Sequence, residues 1–415
     1  MTSAPAGAQG ARVAGLLDRR TEASRLFFAA EAERTATLCH RMAERFARGG
    51  RLVAAGASPA ARSDARHVAV EFVHPVIVGK RALPAIGLAG EGGPLDEQVD
   101  LVAEPDDMLI AFEAGAGDAA TARAVALARA RGCLTIADAR GAGAEWELEP
   151  PGDDRFVRQE LVETLYHVLW ELVHVFFEHR GLLDGRAARA VHDPGASSFL
   201  YPFLGEQERD LDAVIADVRE SVLMKAAEVS ALREQTLTEG RDTLAAAAAA
   251  LQAAFDAGGR LLALGNGGSA TDAMDAVADF RSPVPARTGD APWRARRALD
   301  LTEDPAILTA IANDVGVEEI FQRQVIAHGR PGDVLLAIST SGGSANVVEA
   351  LHEARRGGLV TVALVGYDGG RIAAEGLADH VVVTRSQHIP RIQEAQASAY
   401  HVLRELVEAE GGAAT

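Results

Sequence analysis

In the second half of the chain, short apolar runs alternate with stretches whose apolar residues recur at helical spacing. The runs predict strands over 260–264, 298–301, 334–338, 360–365 and 380–383. Helices are expected near 271–280, 317–328, 346–356 and 392–410. Such alternation predicts an α/β domain: a parallel sheet with helices on both faces, three layers deep. A long helical stretch, about 207–257, precedes it, and a shorter one, about 21–48, leads the first half. Residues 184–202 carry Gly, Pro and Ser without periodicity. The expected organisation is therefore 1–183, a linker over 184–206, and 207–415.

The two halves repeat one pattern. Phe46 to Gly56 (FARGGRLVAAG) matches Phe255 to Gly265 (FDAGGRLLALG). Pro105 to Phe112 matches Pro331 to Ile338, Gly132 to Ala137 matches Gly358 to Ala363, and Tyr166 to Val173 matches Tyr400 to Val407. One match could be chance among alanine-rich segments, but an ordered set means two copies of one domain.

Composition narrows the chemistry. A formal charge of −18 argues against nucleic acid as a partner, because phosphate backbones recruit Lys and Arg. Lys80 and Lys225 are the only lysines. Cys39 and Cys133 form no disulfide framework, which fits a reducing cytoplasm. No apolar run is long enough for a membrane span, and residues 1–12 carry no signal core.

The most informative stretch is Ile338-Ser-Thr-Ser-Gly-Gly-Ser-Ala-Asn346, where a buried strand ends in a hydroxyl-rich loop that opens a helix. Ser339, Thr340, Ser341 and Ser344 supply hydroxyls, and two glycines allow a tight turn. Helix N-termini offer amide hydrogens and a positive dipole end, so this loop is built to hold a phosphate. A second such loop, Gly265-Asn-Gly-Gly-Ser269, follows the strand at 260–264. The bland reading of the hydroxyls is that they cap the following helices.

These loops, with Asp272-Ala-Met274, Ala312-Asn-Asp314 and Arg391-Ile-Gln-Glu394, make residues 251–410 resemble the sugar isomerase (SIS) domain family, nearest its sedoheptulose-7-phosphate isomerase branch. The first copy is a diverged relative. The resemblance implies two SIS domains arranged as a pseudo-dimer, homo-oligomerisation (a dimer of tandem chains), a small sugar phosphate as substrate, and aldose–ketose isomerisation through an enediol. It also implies phosphate and sugar contacts from Asn266, Gly267, Ser269, Asn313, Asp314, Ser339, Thr340, Ser341, Ser344 and Gln393.

In the family, a His and a Glu one turn apart on the helix after the first loop, with a Gln and a His on the last helix, carry acid–base chemistry and in some members bind zinc. The first copy matches all four with His67, Glu71, Gln159 and His167, which become the candidate Zn2+ ligands. The second copy has Asp275, Asp279, Gln393 and His401 instead. The phosphate loops divide the other way. In the first copy Pro59 removes an amide donor and Glu113 puts negative charge where phosphate would sit. The expectation is a division of labour, with anion capture in one half and proton transfer in the other, facing a shared cleft. Glu71 is the expected base and His167 or His401 the acid, with Asp279 as the competing base. Gln159 and His167 lie about 12 Å apart along a helix. A site using both residue types is therefore more easily built from one copy's Gln and the other copy's His. His174 and His179 are read as surface. A different class of function stays open: a non-enzymatic phosphosugar sensor, or an adaptor for the replication initiator.

Overall fold

The structure is a computed structural model that describes residues 6–76, 80–89, 92–113, 119–178, 183 and 210–411. The linker expected at 184–206 and His179 lie outside these residues. The chain divides into two compact units that interleave along the sequence. One, here the amino unit, comprises Ala23–Gly152 and Leu161–Ala227. The other, the carboxyl unit, comprises Met1–Glu22, Asp153–Glu160 and Glu228–Thr415.

The amino half runs α1 (Ala6–Arg48), β1 (Leu52–Ala55), α2 (Pro59–Val73), β2 (Ala85–Leu88), α3 (Leu95–Val102), β3 (Met108–Ala111), α4 (Ala119–Ala130), β4 (Leu134–Ala137), β5 (Trp146–Glu147) and α5 (Arg155–Glu178). The carboxyl half runs α6 (Leu211–Glu239), α7 (Arg241–Asp256), β6 (Leu261–Leu264), α8 (Gly268–Arg281), β7 (Ala298–Asp300) and α9 (Pro305–Asp314). A 3-10 turn (Val317–Glu319) follows, then α10 (Gln322–His328), β8 (Val334–Ser339), α11 (Ala345–Arg356), β9 (Val360–Gly366), α12 (Gly370–Ala374), β10 (His380–Thr384) and α13 (Ile389–Gly411).

The strands form two parallel sheets with the same winding, β2-β1-β3-β4-β5 and β7-β6-β8-β9-β10. Both faces of the second sheet are buried. Leu261 and Ala263 of β6 join one apolar cluster with α7, α8 and α13, and Leu262 and Leu264 join another with α10 and α11. This is why the strands read as unbroken apolar runs rather than alternating ones. Val13 and Leu16 of α1 belong to the first cluster, which explains why that helix starts well before residue 21.

The chain winds one way from β6 to β7 and the other way from β8 through β9 to β10, so the switch point lies between β6 and β8. In open parallel sheets, ligands bind beyond the carboxyl ends of the strands at such a point. Both hydroxyl-bearing loops stand there. Two helices escape the periodicity argument. No residue of α9 is buried, so it has no core-facing stripe, and its start is set by Asp304, whose carboxylate accepts from the amides of Ala306 (2.9 Å) and Ile307 (3.1 Å). The other, α12, is a single short turn. The helix expected over 317–328 is instead the 3-10 turn and α10. Among the described residues no helix is long and apolar enough to cross a membrane.

Candidate active site

The anion loops are assembled in the carboxyl unit. After β6 the chain turns through Gly265, where a Cβ would fall 2.2 Å from the Ser269 carbonyl oxygen, so only glycine fits. Gly267 follows at φ 58° and α8 begins at Gly268, with Ser269 3% exposed. After β8, the Ser339 hydroxyl accepts from the Gly342 amide (3.2 Å) and the Ser341 hydroxyl from the Gly343 amide (3.2 Å). Ser344 takes the N-cap position of α11, yet its side chain makes no capping bond. It lies 3.5 Å from the Ser341 hydroxyl. That distinguishes the two readings of this residue, since a serine present only to cap would spend its oxygen on the helix amides. The two loops are tied by a reciprocal amide pair: Asn266 and Asn346 each donate to the other at 2.9 Å. Asn346 belongs to the hydroxyl-rich motif but was not expected in the site. Gly366, beside the loop, leaves no room for a Cβ, which would stand 2.4 Å from the Thr340 carbonyl oxygen and 2.6 Å from Ile392. Asn313 and Asp314 end α9, exposed, with the Asn313 amide donating to Asp314 at 2.7 Å.

The equivalent loops of the amino unit are closed. Ser58 caps α2 by accepting from the Ala61 amide at 3.1 Å, with Pro59 in the first turn. The Ser58 hydroxyl also donates to the Glu113 carboxylate, and Glu113 sits in the left-handed region at φ 52°. A carboxylate thus occupies the mouth of this loop.

A buried ionic centre surrounds His401 in the carboxyl unit. Its Nδ1 donates to Glu160 (2.9 Å), and its Nε2 lies 3.3 Å from Asp275 and 3.4 Å from Asp279. Asp275 also accepts from the Tyr400 hydroxyl (2.8 Å) and from Gln159. Asp279 pairs with Arg155 at 2.9 Å. Glu160 accepts further from Arg20 (3.0 Å) and Ser398 (2.5 Å). Phe156 stacks on the His401 ring at 4.4 Å, and the Arg155 guanidinium lies over the Phe156 ring, 4.4 Å from its centroid. Gln159 and His401 thus both bond Asp275.

The electrostatics follow from burial. Desolvation alone would strip His401 of its proton, but the hydrogen bonds it donates to Asp275 and Glu160 outweigh that and push the imidazole up to about 10. Burial would raise Glu160, yet Arg20 and His401 hold it down to about 2. Burial and the neighbouring Asp275 charge drive Asp279 up to about 7, against the pull of Arg155.

A second centre lies in the amino unit. His67, Glu163 and His167 are all buried, and their ligand atoms lie within 4.8 Å of one another. His67 Nε2 is 3.8 Å from Glu71, one turn along α2. The His67 ring also sits 5.0 Å from that of His167 and 5.3 Å from that of Tyr166, whose hydroxyl reaches Asp64 at 3.4 Å. Glu163 was not anticipated. Its signal was its place one turn before His167 on the same helix face, midway between Gln159 and His167. Gln159, expected among these ligands, bonds Asp275 instead. His174, read as surface, is buried, with its ring nitrogens on the carbonyls of Trp170 (2.8 Å) and Arg81 (3.1 Å). Burial and the nearby Lys80 charge press it down to about 4.

Among the described residues two trios could by spacing alone hold a metal: His67 with Glu163 and His167, and Asp275 with Asp279 and His401. Two imidazoles and a carboxylate make the mixed nitrogen–oxygen set that suits zinc. In the second trio both His401 nitrogens already face carboxylates, and Asp279 already pairs with Arg155. The arginines of the neighbouring segment at 283–297 serve the framework. Arg296 lies over Phe255 and meets Glu408 at 3.5 Å, Arg297 donates to the Gly258 carbonyl (3.1 Å), and Arg287 pairs with Asp290 at 3.0 Å. The Arg294 amide donates to Glu408 at 3.4 Å.

Residues 226–366 match the family described as SIS domain. Over 195 residues the chain is 44% identical to the phosphoheptose isomerase of Chlorobium phaeobacteroides, a match covering 46% of this chain and 82% of the relative. It is 39% identical over 199 residues to the phosphoheptose isomerase of Nitratidesulfovibrio vulgaris, covering 46% and 89%. The C-terminal domain of glucosamine-fructose-6-phosphate aminotransferase from Francisella tularensis aligns with 96% of this chain and 96% of its own at a TM-score of 0.58, with 11% identity, a likeness of fold alone.

Proposed function

The chain belongs to the phosphoheptose isomerase family of SIS-domain proteins, and from that premise we propose that it interconverts a ketose phosphate and an aldose phosphate, with sedoheptulose 7-phosphate as the substrate. The observation that carries this reading is the loop pair at 265–269 and 339–344. It combines glycine-only turns, a reciprocal asparagine tie and a Ser344 hydroxyl not engaged in capping, at the switch point of a parallel sheet. These are the features of a site for a terminal phosphate. They do not count sugar carbons; the heptose rests on the named relatives.

The reaction needs no oxidant. A base removes the proton from the carbon beside the carbonyl, the carbonyl oxygen is protonated, and the resulting enediol takes the proton back at the neighbouring carbon. For the base we assign Glu71, which faces His67 at 3.8 Å, with His167 as the partner acid. Asp279 suits the task less, because its carboxylate already engages Arg155. Zinc held by His67, Glu163 and His167 would supply Lewis-acid stabilisation of the developing negative charge.

The test is to incubate the purified chain with sedoheptulose 7-phosphate, with and without added zinc, and follow the aldose product. Ser341→Ala should raise KM, and Glu71→Gln should mainly lower kcat. Binding without turnover under every metal condition would refute the enzyme. A silent Glu71→Gln beside an inactive Asp279→Asn would reassign the base.

A further inference from the structure

The two histidine centres differ in how their negative charge is balanced. In the His401 centre both imidazole nitrogens and one oxygen of each aspartate are engaged, while Asp275 Oδ1 accepts no hydrogen bond. Nδ1 faces Glu160 at 2.9 Å and Nε2 stands between Asp275 and Asp279 at 3.3 and 3.4 Å, so the ring is placed to donate from both nitrogens and offers no lone pair. The Asp275 Oδ2 atom also accepts the Tyr400 hydroxyl at 2.8 Å. The Asp279 Oδ1 atom accepts Arg155 at 2.9 Å.

Arg155 is fixed independently of that contact. Its guanidinium lies 4.4 Å from the Phe156 centroid, and its backbone amide donates to the Ala286 carbonyl at 2.8 Å. Asp154, just before it, bridges Arg287 in the 283–297 segment. These contacts with the 283–297 segment hold the start of α5, where Arg155 meets Asp279. A divalent ion needs deprotonated donors, and here it would have to displace the imidazole proton and enter beside a guanidinium.

We propose that the His401 centre is closed to divalent metals because Arg155 and the doubly donating imidazole take the place of the ion, so that, of the two histidine centres among the described residues, only His67, Glu163 and His167 bind a metal. Arg155 is then a positioning residue that neutralises Asp279. The proposal rests on the metal part of the functional reading only for the second centre; the exclusion stands apart from it.

The experiment uses the full chain, stripped of metal and dialysed against Co2+. Bound metal is counted, and the visible d–d absorption is recorded. Wild type should hold one equivalent, His67→Ala should lose it, and Asp275→Asn should keep it. Arg155→Gln should gain a second equivalent with a new absorption band, whereas Arg155→Lys, which keeps a cation, should not. A folded Arg155→Gln protein that binds no more metal than wild type overturns the proposal. So does loss of wild-type metal on Asp275→Asn or His401→Gln, a comparison that decides the matter even if Arg155→Gln fails to fold. A wild type that binds no metal, with Arg155→Gln binding one, supports the exclusion and removes zinc from the His67 centre alone.

Discussion

At the scale of single residues, Ser344 and His401 make opposite predictions. Ser344 stands at a helix N-cap without capping, so Ser344→Ala should leave the melting temperature within about 1 °C of wild type. A true N-cap would cost about 1 kcal/mol. Affinity for inorganic phosphate, measured by calorimetry, should nonetheless fall. His401 is fully buried among Glu160, Asp275 and Asp279. Removing the cation leaves carboxylates stranded, so His401→Ala should cost about 3–5 kcal/mol in urea unfolding. The loop hydroxyls were legible because Gly, Ser and Thr cluster where an apolar run ends. Arg20, Arg155 and Glu160 were not, since nothing local marks a charged side chain that will be buried against residues far along the chain. Glu163 lies between these cases. Its helical spacing to His167 is legible, but the family's four-residue pattern names Gln159 on that helix instead.

At the scale of elements, the strands of the carboxyl half fall where the apolar runs place them, because a sheet covered on both sides demands unbroken hydrophobicity. Helix α9 went unread for the converse reason: with no buried residue it shows no stripe. The turn from β8 into α11 depends on Gly342, at φ 61°, where a Cβ would meet the Gly369 carbonyl oxygen at 2.2 Å. Gly342→Ala should therefore destabilise by about 1–3 kcal/mol and abolish phosphate binding, as thermal melts with and without phosphate would reveal. The Gly342 carbonyl also accepts from the Ile372 amide at 2.9 Å, so the same substitution should disturb α12, the element least evident in the sequence.

At the scale of the whole molecule, the ionic set of the carboxyl unit predicts a pH profile. Glu160, held down to about 2 from 4.5, contributes stability that is full above 4.5 and lost as pH falls toward 2. Asp279, raised from 3.8 to about 7, and His401, raised from 6.5 to about 10, contribute stability that is full at lower pH. Theirs is lost as pH rises through about 7 and then about 10. Besides burial and one another, Arg20, Arg155, Arg233, Arg404 and Asp275 are the groups that set these shifts. Urea midpoints at pH 3, 5.5 and 9 should peak in the middle, and His401→Ala should flatten the alkaline limb. The unit boundaries carry a further expectation. A fragment starting at residue 207 keeps His401, Asp275 and Asp279 but lacks Arg20, Arg155 and Glu160. It should melt well below the intact chain or fail to fold, by circular dichroism.

That interleaving also bears on any attempt to divide the protein. The carboxyl unit gathers Met1–Glu22 and Asp153–Glu160 together with Glu228–Thr415. A chain severed after α5 would part Arg155 from Asp279 and leave an acidic interior without its cation. Scissors placed at the midpoint of the sequence cut through one unit, not between two.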